Sequence, residues 1–293
     1  MGDGGYSQQN RATRTVAYMN NSIGQNFQQR ETHRDMASVD VKIRESRDSA
    51  EHPNSKAIII AFDETGSMGK APHEMIGKGL PVIMGKILES GIEDPQLIFL
   101  GIGDHKSDSA PLQIGQFESS DEKIDHWLEK IYLEGNGGGN GGESYMLAWY
   151  FAARHTSIDC WEKRKDKGLL ITIGDEPVHG SISGYSLLRI MGKGEFEEEY
   201  SSVALLHEAM DTYEVHHINL LDHSGMSPRV RGQWDELLGQ NAHHVESVED
   251  ISLKISEIIL KKYKDTIKIA SHSSAAPKID LPKQEDKSQE ILS

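Results

Sequence analysis

The sequence predicts an α/β protein: a doubly wound, mainly parallel six-stranded sheet with one antiparallel edge strand and helices on both faces. Three observations predict it. Short apolar runs rich in isoleucine alternate along the 293 residues with stretches whose apolar residues recur at helical spacing. The runs are continuous, as in strands buried on both faces. The segments between them are long enough for a helical crossover to a parallel neighbour, with one exception.

The first strand is expected over 57–62, and helical spacing of Met75, Gly79, Val82, Ile83 and Ile87 predicts a helix over 73–89. A second strand is expected over 96–102 and a third over 112–117. Only GDHKSDSAP separates these two, too few residues for a crossover, so they should pair antiparallel. Helices are expected over 124–133 and, after a glycine-rich loop, over 144–155. The fourth strand is expected over 168–174, a helix over 201–213, the fifth strand over 215–221, a helix around 234–238 and the sixth strand over 242–245. Ser247 and Asp250 form a capping pattern ahead of a last helix striped by Val248, Ile251, Ile255, Ile258 and Ile259. Glu195–Glu199, in EFEEE, reads as the start of an exposed helix.

Three segments follow from composition. Residues 1–55 are polar, rich in Gln, Asn, Arg, Ser and Asp, and are expected to be flexible or loosely docked. Residues 56–266 form the domain. Residues 267–293 combine Ser, Pro, Lys and acids and are expected to be a disordered tail. The formal net charge of −15 argues against nucleic acid and suits a cation or a basic partner. No apolar run is long enough to cross a membrane. The opening MGDGGYSQQN lacks a signal pattern and puts Tyr6 where a myristoylation motif needs Ser or Thr, so a cytoplasmic location is expected. The single cysteine, Cys160, has no internal disulfide partner and no catalytic dyad beside it in sequence.

In such a sheet, ligands bind beyond the carboxyl ends of strands where the winding reverses, here between the first and fourth strands. The first runs into Asp63-Glu64-Thr65-Gly66-Ser67 and the fourth into Gly174-Asp175-Glu176-Pro177. Two carboxylates and two hydroxyls would converge there. Crowded carboxylates repel, and a divalent cation removes the conflict. Oxygen donors with open positions suit Mg2+, with Mn2+ or Ca2+ as alternatives, and nothing in the histidine spacing suggests zinc.

DETGSM resembles the DxSxS motif of the von Willebrand factor A (vWA) domain and its metal-ion-dependent adhesion site (MIDAS), with Thr65 as the hydroxyl variant. GNGGGNGGES is similar to the loop carrying that site's second contribution. ITIGDEPVHG is similar to its third, in the manner of intracellular relatives linked to alpha-kinases. The resemblance covers about residues 56–263 and implies a vWA/Rossmann-like fold. It implies that Thr65 and Ser67 coordinate the metal through hydroxyl oxygens, with Asp63 and Asp175 binding directly or through water. Where the family commonly has threonine, Glu143 and Ser144 compete for the place, with Asn140 a third candidate. It further implies an adaptor or recruitment module that offers an open metal position to an acidic side chain of a partner protein, an AAA+ ATPase among the candidates.

Plainer readings stand beside these. Asp63, Thr65 and Ser67 can cap the following helix. The glycine loop lacks the GK[ST] ending of a phosphate cradle and is assigned to shaping the rim. Asp104, His105 and Asp108 read as a solvated turn beside the crevice, or as an outer shell to the metal or a contact for a partner. His179 can touch the rim, and His216-His217 and His243-His244 lie on strands as structural residues. An enzymatic alternative treats DETGS as the nucleophile loop of a haloacid dehalogenase-like phosphotransferase, with Asp63 attacking phosphorus and Asp175 holding magnesium. It lacks the second late acid, His179 standing in that place, and a lysine to clamp the phosphate.

Overall fold

A computed structural model describes residues 7–68, 71–134, 141–221 and 227–264. The glycine-loop residues 135–140, with Asn140, and the tail at 267–293 lie outside the described residues. The sheet contains six strands: β1 (Lys56–Asp63), β2 (Pro95–Ile102), β3 (Leu112–Ile114), β4 (Gly168–Gly174), β5 (Tyr213–Leu220) and β6 (Ala242–Val245). Their spatial order is β6-β5-β4-β1-β2-β3, all parallel except β3, which runs antiparallel to β2. The expected doubly wound sheet with one antiparallel edge strand is therefore present. Its winding reverses between β1 and β4.

The sheet separates two apolar layers, and β1 feeds both by simple alternation. Ala57, Ile59 and Ala61 face the helices Met146–Arg154 and Ser202–Thr212. Ile58, Ile60 and Phe62 face the helices Leu80–Ser90 and Val248–Lys262. All six are essentially inaccessible, which is why this stretch reads as a continuous apolar run. Ser247 caps the last helix as expected, its Oγ accepting from Asp250 N.

Several elements depart from expectation for identifiable reasons. The helix expected over 73–89 contains a π turn, Met75–Gly79, ahead of Leu80–Ser90. Pro81 supplies no N–H to the preceding turn, which favours the wider winding. Strand β3 stops at Ile114; Gly115 N still donates to Phe99 O of β2 at 3.0 Å, and a Cβ on Gly115 would lie 2.8 Å from that oxygen, so the chain passes β2 too closely there for a side chain. The next helix starts at Asp121, where Ser120 caps it, and ends at Leu128. Glu195–Glu199 does not begin a helix; Glu199 opens a short strand, Glu199–Ser201, antiparallel to Ser181–Ser183.

The polar segment ahead of β1 carries the helix Gln8–Asn20 and sends Tyr18, Phe27 and Met36 into the core. Each such burial contributes roughly 1.5–3 kcal/mol. Arg14 Nη1 meets Asp125 Oδ2 at 3.0 Å, Tyr18 Oη donates to Glu129 at 3.0 Å, and Arg44–Ser46 pairs parallel with Thr156–Ile158. Sparse apolar residues hide this docking in a mainly polar sequence. No helix among the described residues is long and apolar enough to cross a membrane.

Candidate metal centre

The carboxyl ends of β1 and β4 meet at the reversal point. Asp63, the last residue of β1, is fully buried. Its Oδ1 accepts from Thr65 N at 2.8 Å and Thr65 Oγ1 at 2.6 Å, and its Oδ2 accepts from Tyr145 Oη at 3.0 Å. The turn that Thr65 closes leads into the one-turn 3-10 helix Gly66–Met68. Ser67 lies in that turn, and its side chain falls outside the described residues.

Tyr145 fills the space between the two strand ends. A Cβ on Gly174 would lie 1.7 Å from its hydroxyl, so the last position of β4 admits no side chain. Asp175 follows, half-buried, and its charge acts on Asp63. Glu143 arrives from the glycine loop and is fixed by its backbone: its N–H donates to Pro177 O at 2.8 Å and its carbonyl accepts from His179 N at 3.2 Å. It is 1% exposed, with Oε2 lacking a hydrogen-bond partner. Ser144 is buried too but turns elsewhere, its Oγ accepting from His105 N at 2.9 Å and lying 2.7 Å from His105 Nδ1. The fold thus brings Asp63, Thr65, Glu143 and Asp175 to one rim and engages Ser144 with a neighbouring group.

The electrostatics of this rim are dominated by burial of its acids and by their mutual repulsion. Burial foremost, and then the charge of Asp175, raises Asp63 to about 7 against the hydrogen bonds from Thr65 and Tyr145. Burial also raises Glu143, and the charges that push it further belong to Asp63, Asp104, Asp108 and Glu176. Glu64, buried beside them with Oε1 unpartnered and Oε2 bonded to Gln113, is raised by burial as well. Oxygen donors alone, an orphaned buried carboxylate oxygen and mutual repulsion together fit a hard divalent cation. Among the described side chains, Asp63, Thr65, Glu143 and Asp175 could hold it.

Beside this group stands a second one, built from the segment expected as a solvated turn, an outer shell or a partner contact, together with His179. The turn exists, since Asp108 N donates to Asp104 O at 2.8 Å, but its side chains point inward. Asp104 has no exposure, and its Oδ1 lies 2.9 Å from His179 Nε2 and 3.7 Å from His105 Nδ1. Asp104, His105 and His179 form the one set of three His, Cys, Asp or Glu among the described residues with ligand atoms within 4.8 Å of one another, and can hold a metal ion. Burial first, and then the charge of His179, lowers His105 to about 4, leaving it neutral near pH 7. Both histidines were visible in GDH and PVH; their meeting across two loops was not. Tyr145 gave no signal in sequence, because it looks like any aromatic opening an apolar helix.

Comparison with protein-family models and with curated proteins finds no match. Among solved structures the chain is similar to the pilus adhesin SpaC of Lactobacillus rhamnosus GG, at 12% identity and TM-score 0.48, over 74% of this chain and 31% of that one. It is similar to a von Willebrand factor type A protein of Catenulispora acidiphila at 13% identity and TM-score 0.40, over 71% and 43%. It is also similar to proximal thread matrix protein 1 of the mussel byssus, whose MIDAS motif is zinc-occupied, at 12% identity and TM-score 0.43, over 73% and 49%. The chain therefore spans between about a third and a half of these proteins. The vWA domain is the class that DETGSM resembles, but likeness at this level transfers no residue role.

Proposed function

We propose that this protein is a vWA-type binding module that holds Mg2+ at the β1/β4 rim and uses it to engage a partner protein in an adaptor or recruitment role. Thr65 and Ser67 supply hydroxyl oxygens, Asp63 and Asp175 bind directly or through water, and Glu143 provides a further carboxylate. The observation that carries this reading is the convergence of Asp63, Asp175 and Glu143 at the reversal point, with Glu143 Oε2 buried and unpartnered. A cation offsets that repulsion, whereas residues serving only as a helix cap need no such crowding. The remaining metal position accepts an oxygen donor from the partner. Because Glu143 lowers the site's net charge, that donor need not be a carboxylate.

The phosphotransferase alternative is weaker on the same residues. A phosphorus atom with its bulky oxygens would have to reach Asp63, which has no exposed surface at the end of β1, and His179 stands where that pattern needs a second late acid. Affinity capture from a native extract separates the two readings. With Mg2+, wild type should retain a protein that chelator and Asp63→Asn both release, while generic phosphate esters stay intact. Capture indifferent to both treatments, or an acyl-phosphate trapped on Asp63, overturns the proposal.

A further inference from the structure

Asp104, His105 and His179 are not explained by an all-oxygen magnesium site, and their chemistry differs from it. They come from two loops, one after β2 and one after β4, and converge with almost no exposure: Asp104 0%, the His105 side chain 6% and His179 7%. The geometry points to a second metal site, in which Asp104, His105 and His179 bind a borderline divalent transition ion such as zinc, separate from the cation at Asp63.

Spacing supports this. A tetrahedral ion with ligand bonds of ~2.0–2.1 Å holds its ligand atoms about 3.3 Å apart. Asp104 Oδ1 lies 2.9 Å from His179 Nε2 and 3.7 Å from His105 Nδ1, on either side of that figure. Ser144 Oγ, 3.4 Å from Asp104 Oδ1 and 2.7 Å from His105 Nδ1, stands where a fourth ligand or its water belongs.

The surroundings fix these donors as a site requires. Asp104 accepts from Lys106 N at 3.1 Å through Oδ1 and from Ser107 Oγ at 3.1 Å through Oδ2. The His179 backbone is pinned by its bond to Glu143 and by Ser202 Oγ on its carbonyl. Gly142 makes room for the ring: a Cβ there would lie 2.9 Å from His179 Nδ1. Metal on Nε2 leaves the imidazole proton on Nδ1, so Lys106 Nζ, 3.1 Å away, must turn outward, which its exposure permits. Two imidazoles and one carboxylate select zinc, cobalt or nickel over magnesium, while hydroxyls and carboxylates do the reverse. The inference does not require that the Asp63 site be occupied.

The test is titration of the chelator-stripped full chain with Co2+ in excess Mg2+, followed by visible absorption, with Zn2+ as competitor. One equivalent of Co2+ should give visible ligand-field bands that Zn2+ abolishes. His179→Gln should weaken Co2+ binding by more than about 10–100-fold, the range for losing a mere supporting contact. His105→Gln should do likewise, and both should keep the wild-type circular dichroism and magnesium affinity. Asp63→Asn should weaken magnesium and keep the cobalt bands, so failure of the magnesium reading and failure of this one are distinguishable. Absence of zinc-competed bands in wild type overturns the inference. So do bands that survive both histidine substitutions, or that disappear with Asp63→Asn alone.

Discussion

The two rims of the sheet treat the same residue types in opposite ways. At the amino-terminal rim the acids Asp48 and Asp159 have cations. Arg47 Nη1 meets Asp159 Oδ1 at 2.9 Å, Lys163 Nζ meets Asp159 Oδ2 at 2.7 Å, and Arg164 Nη1 meets Asp48 Oδ2 at 2.8 Å. Burial works to raise Asp48, yet hydrogen bonds from Arg164, Ser55 and Lys163 outweigh it and hold the group down at about 2. At the carboxyl-terminal rim, burial acts on Asp63, Glu64 and Glu143 among other acids, and all three move upward. The fold is able to pair its carboxylates, and does so where only stability is at stake. At the reversal point burial raises the acids instead, the conflict that the proposed cation would relieve.

The largest expected effect sharpens the contrast through pH. For Asp63 the folded value, about 7, exceeds the ordinary carboxylate value of 3.8, so the native state holds the proton more tightly. Without metal, its contribution to stability is full below pH 3.8 and is lost as pH rises to about 7, a swing of order 4 kcal/mol at most. Asp48 has the opposite sign, contributing above 3.8 and losing that contribution as pH falls toward about 2. Urea unfolding in chelator across pH 4–8 should show the decline, and saturating Mg2+ should flatten it. A decline that persists unchanged with Mg2+ breaks the comparison.

Arg47→Met attacks the paired rim. Asp159, with its side chain 4% exposed, loses one of two cations, and the cost should be about 3 kcal/mol, the low end for a broken buried pair because Lys163 remains. Tyr145→Phe attacks the other rim, leaving a buried Asp63 oxygen without its donor. A loss of about 1–3 kcal/mol is expected in chelator. A bound cation takes over that oxygen's role, so Mg2+ should recover most of the loss. Glu143→Gln should have the smallest effect on the metal-free protein at pH 4, under about 0.5 kcal/mol, where the side chain is protonated folded and unfolded alike, and should stabilise it at pH 7, where the wild-type group, raised to about 10, must bind a proton on folding. Its magnesium affinity should nonetheless fall. Equal losses of stability with and without Mg2+ for Tyr145→Phe and Glu143→Gln would mean that both residues serve packing alone.

What the sequence disclosed follows from which physics is local. Strand β1 was legible because all six residues of 57–62 are buried, and the position of Asp63, Thr65 and Asp175 followed from where strands β1 and β4 stop. The docking of the N-terminal segment was not, because its buried residues Tyr18, Phe27 and Met36 are too widely spaced to form a stripe and are ordered by contacts across the chain. The same holds for the rim. Asp104 and His179 are 75 positions apart and look like ordinary loop residues until the sheet sets their loops side by side. Tyr145 and Gly174 become intelligible only as a pair, one filling the volume the other leaves.

Calorimetric titration of Mg2+ into the chelator-stripped full chain at pH 7.5, beside Asp63→Asn, tests the central claim most directly. The account predicts a single saturable site in wild type that Asp63→Asn removes, with circular dichroism unchanged. Wild type that takes up no Mg2+, or Asp63→Asn that takes it up equally well, contradicts the account.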